Sequence, residues 1–317
     1  MTVKEVFELR KQGKIEEAYE AIRPMYATHK GKYTTLCMFW TASDILKKRL
    51  QEKRVGEAEK IFAALLRVLP NIDDKDGKAH TAVLNDALRL AEQSAGFSML
   101  DFMEQYDTTL LKDDDWRGTT SQEGHPLPST AQRLLTRCFH EIQQKPDADH
   151  ALKAMPLLQE AMRRNPRNKN NQRYMAVVYT IMGENEKAES IYRQLLTRHH
   201  DSYLYAELAA LCSNPGEKAA LLCCAIQNQR QEKFRMGYRL ALAHMLIDRD
   251  KPRAAHELQK CIATRKALGY AITRDLQTLS EQLTNVQPAT DRDQQLFYKR
   301  MAEKFLMRGG QEVRGEK

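Results

Sequence analysis

Nine histidines, six cysteines and 42 acidic residues are the side chains from which this 317-residue chain would have to build a catalytic or metal centre, and their spacing builds none. The cysteines (Cys37, Cys138, Cys212, Cys223, Cys224 and Cys261) include no CxxC pair and stand among apolar helical residues. A thiol in such surroundings packs as a small hydrophobe. No GxxxxGK[ST] phosphate loop, GxGxxG turn, HExxH or GxSxG motif occurs. His199 and His200 end a predicted helix, where positive charge complements exposed carbonyls without catalysing anything. Asp113, Asp114 and Asp115 lie in one loop with His125, but they lack the alternation and distal Glu of a calcium loop. The expectation is a protein that is not an enzyme and has no cofactor or metal.

Anion binding has more material. The run RRNPRNKNNQR, Arg163 to Arg173, holds five basic residues and no acidic one. Arginine forks onto carboxylate or phosphate, although the same residues also suit a solvated turn after a helix. A second segment, RQEKFRMGYR, adds Arg230, Lys233, Phe234, Arg235, Tyr238 and Arg239. Aromatics interleaved with Arg can stack on bases, but Phe234 and Tyr238 fall on one helical face and read as core. Trp116 is the other candidate anchor. An exposed Trp in a long loop seats a partner, whereas a buried one pins the loop. Trp40 lies on an apolar stripe with Leu36, Phe39, Ile45 and Leu46 and reads as core.

Charge is distributed unevenly. Residues 1–158 hold 23 Lys+Arg against 24 Asp+Glu, and residues 159–317 hold 27 against 18, so the net +8 belongs to the C-terminal half. Such an excess attracts an acidic protein or nucleic-acid phosphates. No apolar run approaches the roughly 20 residues of a membrane-spanning helix, and the longest clean one is Ala219 to Ile226. The opening MTVKEVFELR carries charges where a secretory apolar stretch would lie. A soluble, cytoplasmic chain is expected.

The elements that position these residues repeat. Ala154, Ala188, Ala220 and Ala254 are separated by 34, 32 and 34 residues. Ala154, Leu158 and Pro166 are spaced as Ala58, Phe62 and Pro70 are. Around Ala188, the residues Met175, Ala176 and Tyr179 precede Gly183, with Tyr192 and Leu195 following. GKIEEAYEAI (Gly13, Ala18, Ile22) supplies an earlier turn and helix. This is the period of paired helices that shelter their apolar faces by stacking.

The spacing resembles that of the tetratricopeptide repeat family, most clearly from Ser129 to Gly269 and more irregularly from Val3 to Asn71. The resemblance implies an all-α, right-handed solenoid of stacked antiparallel helix hairpins. It implies a non-catalytic scaffold or adaptor whose first helices line a groove for a partner protein or peptide. Mapped onto this chain, the groove takes in Asn170, Arg173 and Val177 in one repeat and Arg239 in a later one. Lys169, Asn170, Asn171 and Arg173 resemble one half of the family's chaperone-peptide clamp, but Thr136, Phe139 and Gln143 stand where the preceding helix would complete it. Chaperone docking is therefore not expected.

The expected organisation is irregular repeats over 1–112, a loop over 113–128, regular repeats over 129–269, capping helices over 270–308 and a flexible tail over 309–317. Pro24 and Pro156 interrupt helical stretches, and a kink or displaced boundary is expected at each. The leading functional expectation is an adaptor, as a subunit of a larger bacterial-type system, that holds an acidic protein or peptide in its basic C-terminal groove through Lys169, Asn170, Arg173 and Arg239, with Trp116 as a further contact. Two alternatives are a helical-repeat protein that binds nucleic acid and an intracellular sensor of a peptide or small ligand.

Overall fold

Good helix formers fill the stretches between the few glycines and prolines. In the computed structural model, which describes the backbone of residues 1–312 and the side chains of residues 1–305, those stretches form sixteen α-helices and one two-stranded sheet. The described chain is all-α in architecture. It divides into two compact units, Met1–Pro166 and Arg167–Lys317. The division falls inside the basic run, while the loop over 113–128 lies within the first unit.

In the first unit, α1 (Val3–Lys11), α2 (Ile15–Thr28), α3 (Lys32–Gln51), α4 (Val55–Val68) and α5 (Lys78–Gln93) pack neighbour on neighbour. Their turns share one chemistry. Gly13 and Lys53 take positive φ (78° and 58°), and the next residue's N–H reaches back to a carbonyl five positions earlier: Lys14 to Leu9, and Arg54 to Arg49. That bond closes the helix end. Glycine takes this conformation without strain, whereas Lys53 pays a steric penalty for it. Arg49, at the end of α3, meets Glu16 of α2 at 2.6 Å and Glu57 of α4 at 3.1 Å. Pro24 and Pro156 do not displace a boundary: α2 continues four residues past the first, and α8 (Ala148–Arg164) eight past the second.

The remainder of this unit departs from regular hairpins. After α6 (Met99–Gln105) the chain makes two single-turn 3-10 segments and a hairpin of β1 (Thr119–Thr120) and β2 (Pro126–Leu127), before α7 (Thr130–Gln144) and α8. Much of the region is held by polar groups. Glu141 of α7 accepts hydrogen bonds from the Met99 and Leu100 amides, closing the N-terminus of α6. Asp115 is buried and accepts from Thr81 of α5 and from the Lys112 amide. The segment expected as a loop over 113–128 is thus tied down along its first half.

The second unit is more regular. The hairpins are α9 (Lys169–Ile181) with α10 (Asn185–Leu196), α11 (Ser202–Leu211) with α12 (Pro215–Asn228), and α13 (Glu232–Leu246) with α14 (Lys251–Ala267). Each stacks on the next through α10 against α11 and α12 against α13. Ala188, Ala220 and Ala254, at the repeat spacing, are all at most 2% exposed, and Tyr192 fills the space beside Ala188. Small residues let helices approach while large ones occupy the gap between them. The arrangement is a solenoid of stacked antiparallel helix hairpins in its local construction.

The unit closes with α15 (Arg274–Gln282) and α16 (Asp291–Glu312). Helix α16 lies on α12 and also touches α14, which explains the longest apolar run. Every residue from Ala219 to Ile226 is buried, because α12 is covered on all sides. Of the tail expected over 309–317, residues 309–312 continue α16 and 313–317 lie outside the described residues. Among the described residues, no helix is long and apolar enough to cross a membrane.

Candidate functional site

The candidate residues of the second unit separate into one group that reaches the surface and one that does not. Asn168 caps α9 by accepting from the amides of Asn170 and Asn171, which sets the first turn and places Lys169 and Arg173 one turn apart. Opposite them, α11 presents Asp201 at its N-cap position and then Tyr203 and Glu207. Lys169 Nζ sits 2.9 Å from Asp201, and Arg173 forks onto Glu207 with contacts between 2.5 and 3.1 Å. Both cations also lie over the Tyr203 ring, at 5.7 and 4.6 Å from its centre. Asn170 is exposed beside them, and Val177 is buried beneath.

Electrostatics keep the two cations of this ledge protonated. Burial works against the Arg173 guanidinium, but Glu207 more than offsets it, and the group is held above its ordinary pKa. Lys169 behaves alike: burial opposes its charge, and the hydrogen bonds to Asp201 and Tyr203 raise its pKa. Two cations and an aromatic face are thus held in fixed positions, partly open to solvent, at side-chain exposures of 30% and 19%.

Arg239 is different. It is 4% exposed and donates to Glu257 of α14 at 2.8 Å and to the Tyr298 hydroxyl of α16 at 2.9 Å. Glu232, two turns earlier on the same face of α13, approaches at 3.2 Å. Tyr298 and Gln294 donate in turn to Glu257, which is fully buried. The residue expected in an open groove is an internal tie among α13, α14 and α16. Phe234, expected in the core, is 53% exposed with Lys233 over its ring, and Tyr238 is only half-buried.

Trp116 is half-buried in the first unit. The Arg164 guanidinium lies 5.1 Å from its ring centre and pairs with Asp113 at 2.8 Å. It pins its loop to α8. Trp40 is also half-buried, under Arg10, which meets Asp44 at 2.5 Å.

All six cysteines are buried. Burial pushes the Cys212 and Cys224 thiols up to about 11 and Cys261 up to about 12, so these are poor nucleophiles at neutral pH. Among the described residues, no three His, Cys, Asp or Glu side chains gather as a metal site.

Tyr203, Asp201, Glu207 and Glu257 escaped the sequence reading. A signal for Glu207 existed: it lies 34 residues after Arg173, one repeat along the chain. Asp201 follows Lys169 by 32. In a stacked array, opposite charges one period apart face each other.

A family model described as "Domain of unknown function (DUF7017)" matches residues 172–304, within the second unit. No curated protein matches the chain by sequence. Among solved structures, the chain is similar to a tetratricopeptide repeat protein from Parabacteroides merdae ATCC 43184. The identity is 13%, the match covers 89% of this chain and 97% of that one, and the TM-score is 0.44.

Proposed function

We propose that the chain is a non-catalytic interaction scaffold whose second unit takes an acidic segment of a partner protein along the α9–α11 face. Lys169 and Arg173 receive carboxylates in this reading, Asn170 bonds the partner's backbone, and Tyr203 supplies an apolar floor. Arg239 stays out of contact and holds the unit together. One observation carries the reading: residues 1–166 balance 25 Lys+Arg against 25 Asp+Glu, whereas residues 167–317 hold 25 against 17, so the whole excess of +8 belongs to the unit with that ledge. A charged surface of this kind steers oppositely charged partners and fixes register. Stacked helix hairpins support a scaffold role, since their side faces stay free for a partner.

Cross-linking mass spectrometry on the tagged chain in its native extract tests this. The expected result is cross-links from Lys169 to acidic segments of one protein, lost in Arg173→Glu, which keeps the reacting amine, with the remaining cross-links to that protein lost in the Lys169→Glu/Arg173→Glu variant. Equal cross-linking by the unaltered chain and Arg173→Glu would sink the reading. Nucleic acid competes for the same charge excess. Binding to an oligonucleotide whose log affinity falls by several units per log unit of salt, and which the double substitution abolishes, would replace the protein partner with a strand.

A further inference from the structure

The first unit carries a partly apolar groove built from residues other than those of the α9–α11 ledge. A groove of about 960 Å³ lies between α1 and the corner where α2 turns into α3. Its walls are Val3 and Phe7 of α1 and Tyr33 and Leu36 of α3. Tyr33 is 71% exposed, the largest aromatic exposure on the described surface, and the other three are half-buried. Side chains of this kind left facing water mark places where something else packs.

The rim has one dominant sign. Lys4 and Lys32 stand exposed on it, with His29 beside them, and among the described residues neither lysine is held in an ion pair. The one acid on the rim, Glu8, is taken by Lys11 at 2.8 Å, which holds its carboxyl below the usual range. The N-terminus of α3 opens at the same place. Gly31 occupies its N-cap position and has no side chain to accept the first amides, and the first turn contains no acidic residue. A twenty-residue helix therefore presents its positive end, with Lys32 on it, beside the apolar walls.

We infer that this groove docks a segment of a partner protein in which apolar side chains are flanked by carboxylates. The apolar side chains enter between Phe7 and Tyr33, and the carboxylates meet Lys4, Lys32 and the amides opening α3. Charge complementarity selects the occupant: an uncharged or basic segment would leave two lysines and a helix end facing nothing of opposite sign. The inference stands apart from the reading of α9 and α11, because it uses other residues in the other unit.

Random dodecapeptides displayed on phage, panned on the full chain and counter-panned on a Tyr33→Ala/Lys32→Glu variant, test it. Tyr33 and Lys32 are both exposed, and an acid in the first turn favours the helix itself, so the variant should keep its circular dichroism and melting curve. The expected result is sequences with net negative charge and leucine or aromatic residues among the acids. As fluorescein-labelled peptides followed by anisotropy, they should bind the variant on the order of tenfold more weakly, and raised salt should weaken them further. Lys169→Glu/Arg173→Glu should leave them unchanged, which separates this groove from the ledge. Panning that returns no peptide preferring the unaltered chain overturns the inference. So do preferred peptides without net negative charge, or an oligo(dT) strand that shows the same dependence on Tyr33 and Lys32.

Discussion

Arg173 and Arg239 stand two repeats apart on first helices, and they live in different worlds. Arg173 keeps 19% of its side chain exposed, bridges to the next hairpin through Glu207 and lies over Tyr203. Arg239 keeps 5%, and it is closed in by Glu257 from its own hairpin and Tyr298 from α16. Repeat position sets which side of a hairpin a residue occupies. What else packs on that side decides whether the charge is available, and here the deciding element is a helix that begins more than fifty residues after Arg239.

The strongest way to break the comparison is to remove one buried partner. Glu257→Ala leaves a guanidinium in the core with the neutral Tyr298 hydroxyl and, as charged partner, the half-exposed Glu232. A loss of about 3–5 kcal/mol is expected, because an uncompensated buried charge is costly. Urea unfolding monitored by circular dichroism measures it. Replacing both partners with apolar residues, Arg239→Met/Glu257→Leu, should recover much of that loss. A single substitution with an effect below about 1 kcal/mol would mean that Arg239 is solvated and belongs with Arg173 after all.

Tyr298→Phe is a smaller cut at the same place. It keeps the ring against α12 and α14 but removes the hydroxyl that accepts from Arg239 and donates to Glu257. About 1–2 kcal/mol should be lost in the same unfolding measurement, the range for deleting one charge-assisted hydrogen bond. If α16 is what separates the two arginines, this change should also make amide exchange faster in α16, while α9 stays protected.

The first unit sharpens the comparison from another side. Asp86 is fully buried, accepts from Ser43 at 2.5 Å and meets the partly exposed Arg89 at 2.9 Å, with the charge of Lys47 also acting on it. Burial dominates, and its pKa is raised despite those partners. A carboxyl whose folded pKa lies above its unfolded value binds its proton more tightly when folded. Stability should therefore fall as pH rises from near 4 through the raised value, and Asp86→Asn should flatten that slope. The check is the thermal midpoint of both forms between pH 4 and 7. A variant with the parent's pH dependence would show that the partners of Asp86 offset its burial in full.

Spacing made the hairpins legible because alanine at a fixed interval has a single packing reason: Ala154, Ala188 and Ala254 are each 0% exposed. The turn glycines were legible for a similar reason, since Gly13 and Gly183 hold the same positive φ of 78°. The region from α5 to β2 was not. Its stability comes from single polar contacts such as Glu141 on the amides of α6 and Asp115 on Thr81, which have no period to detect. Charge was readable as a total but not as availability. Arg173, Lys169 and Arg239 all counted toward the basic excess, while each had an acidic partner whose position only stacking reveals. Phe234 shows the converse: its four-residue spacing from Tyr238 placed it on a face, but that face is open.

The least disruptive change is Arg173→Lys. It retains the positive charge and so the net balance of the unit, but a lysine ammonium cannot fork onto Glu207 or lie flat on Tyr203 as a guanidinium does. The stability loss should stay near 0.5–1 kcal/mol, since the pair is partly open to water and screened by salt. Partner cross-linking through Lys169 should nevertheless fall more than stability does. In the proposed reading the ledge holds two charges at a set distance over one ring; Arg173→Lys would take the nearer cation off Tyr203, leaving Lys169 there, and would loosen the hold on Glu207, which could then repel the incoming carboxylates. If Arg173→Lys and Arg173→Ala weakened the cross-link equally, geometry rather than charge would govern the face. If Arg173→Lys left it intact, the ledge would be a point-charge site, and its difference from Arg239 would reduce to burial alone.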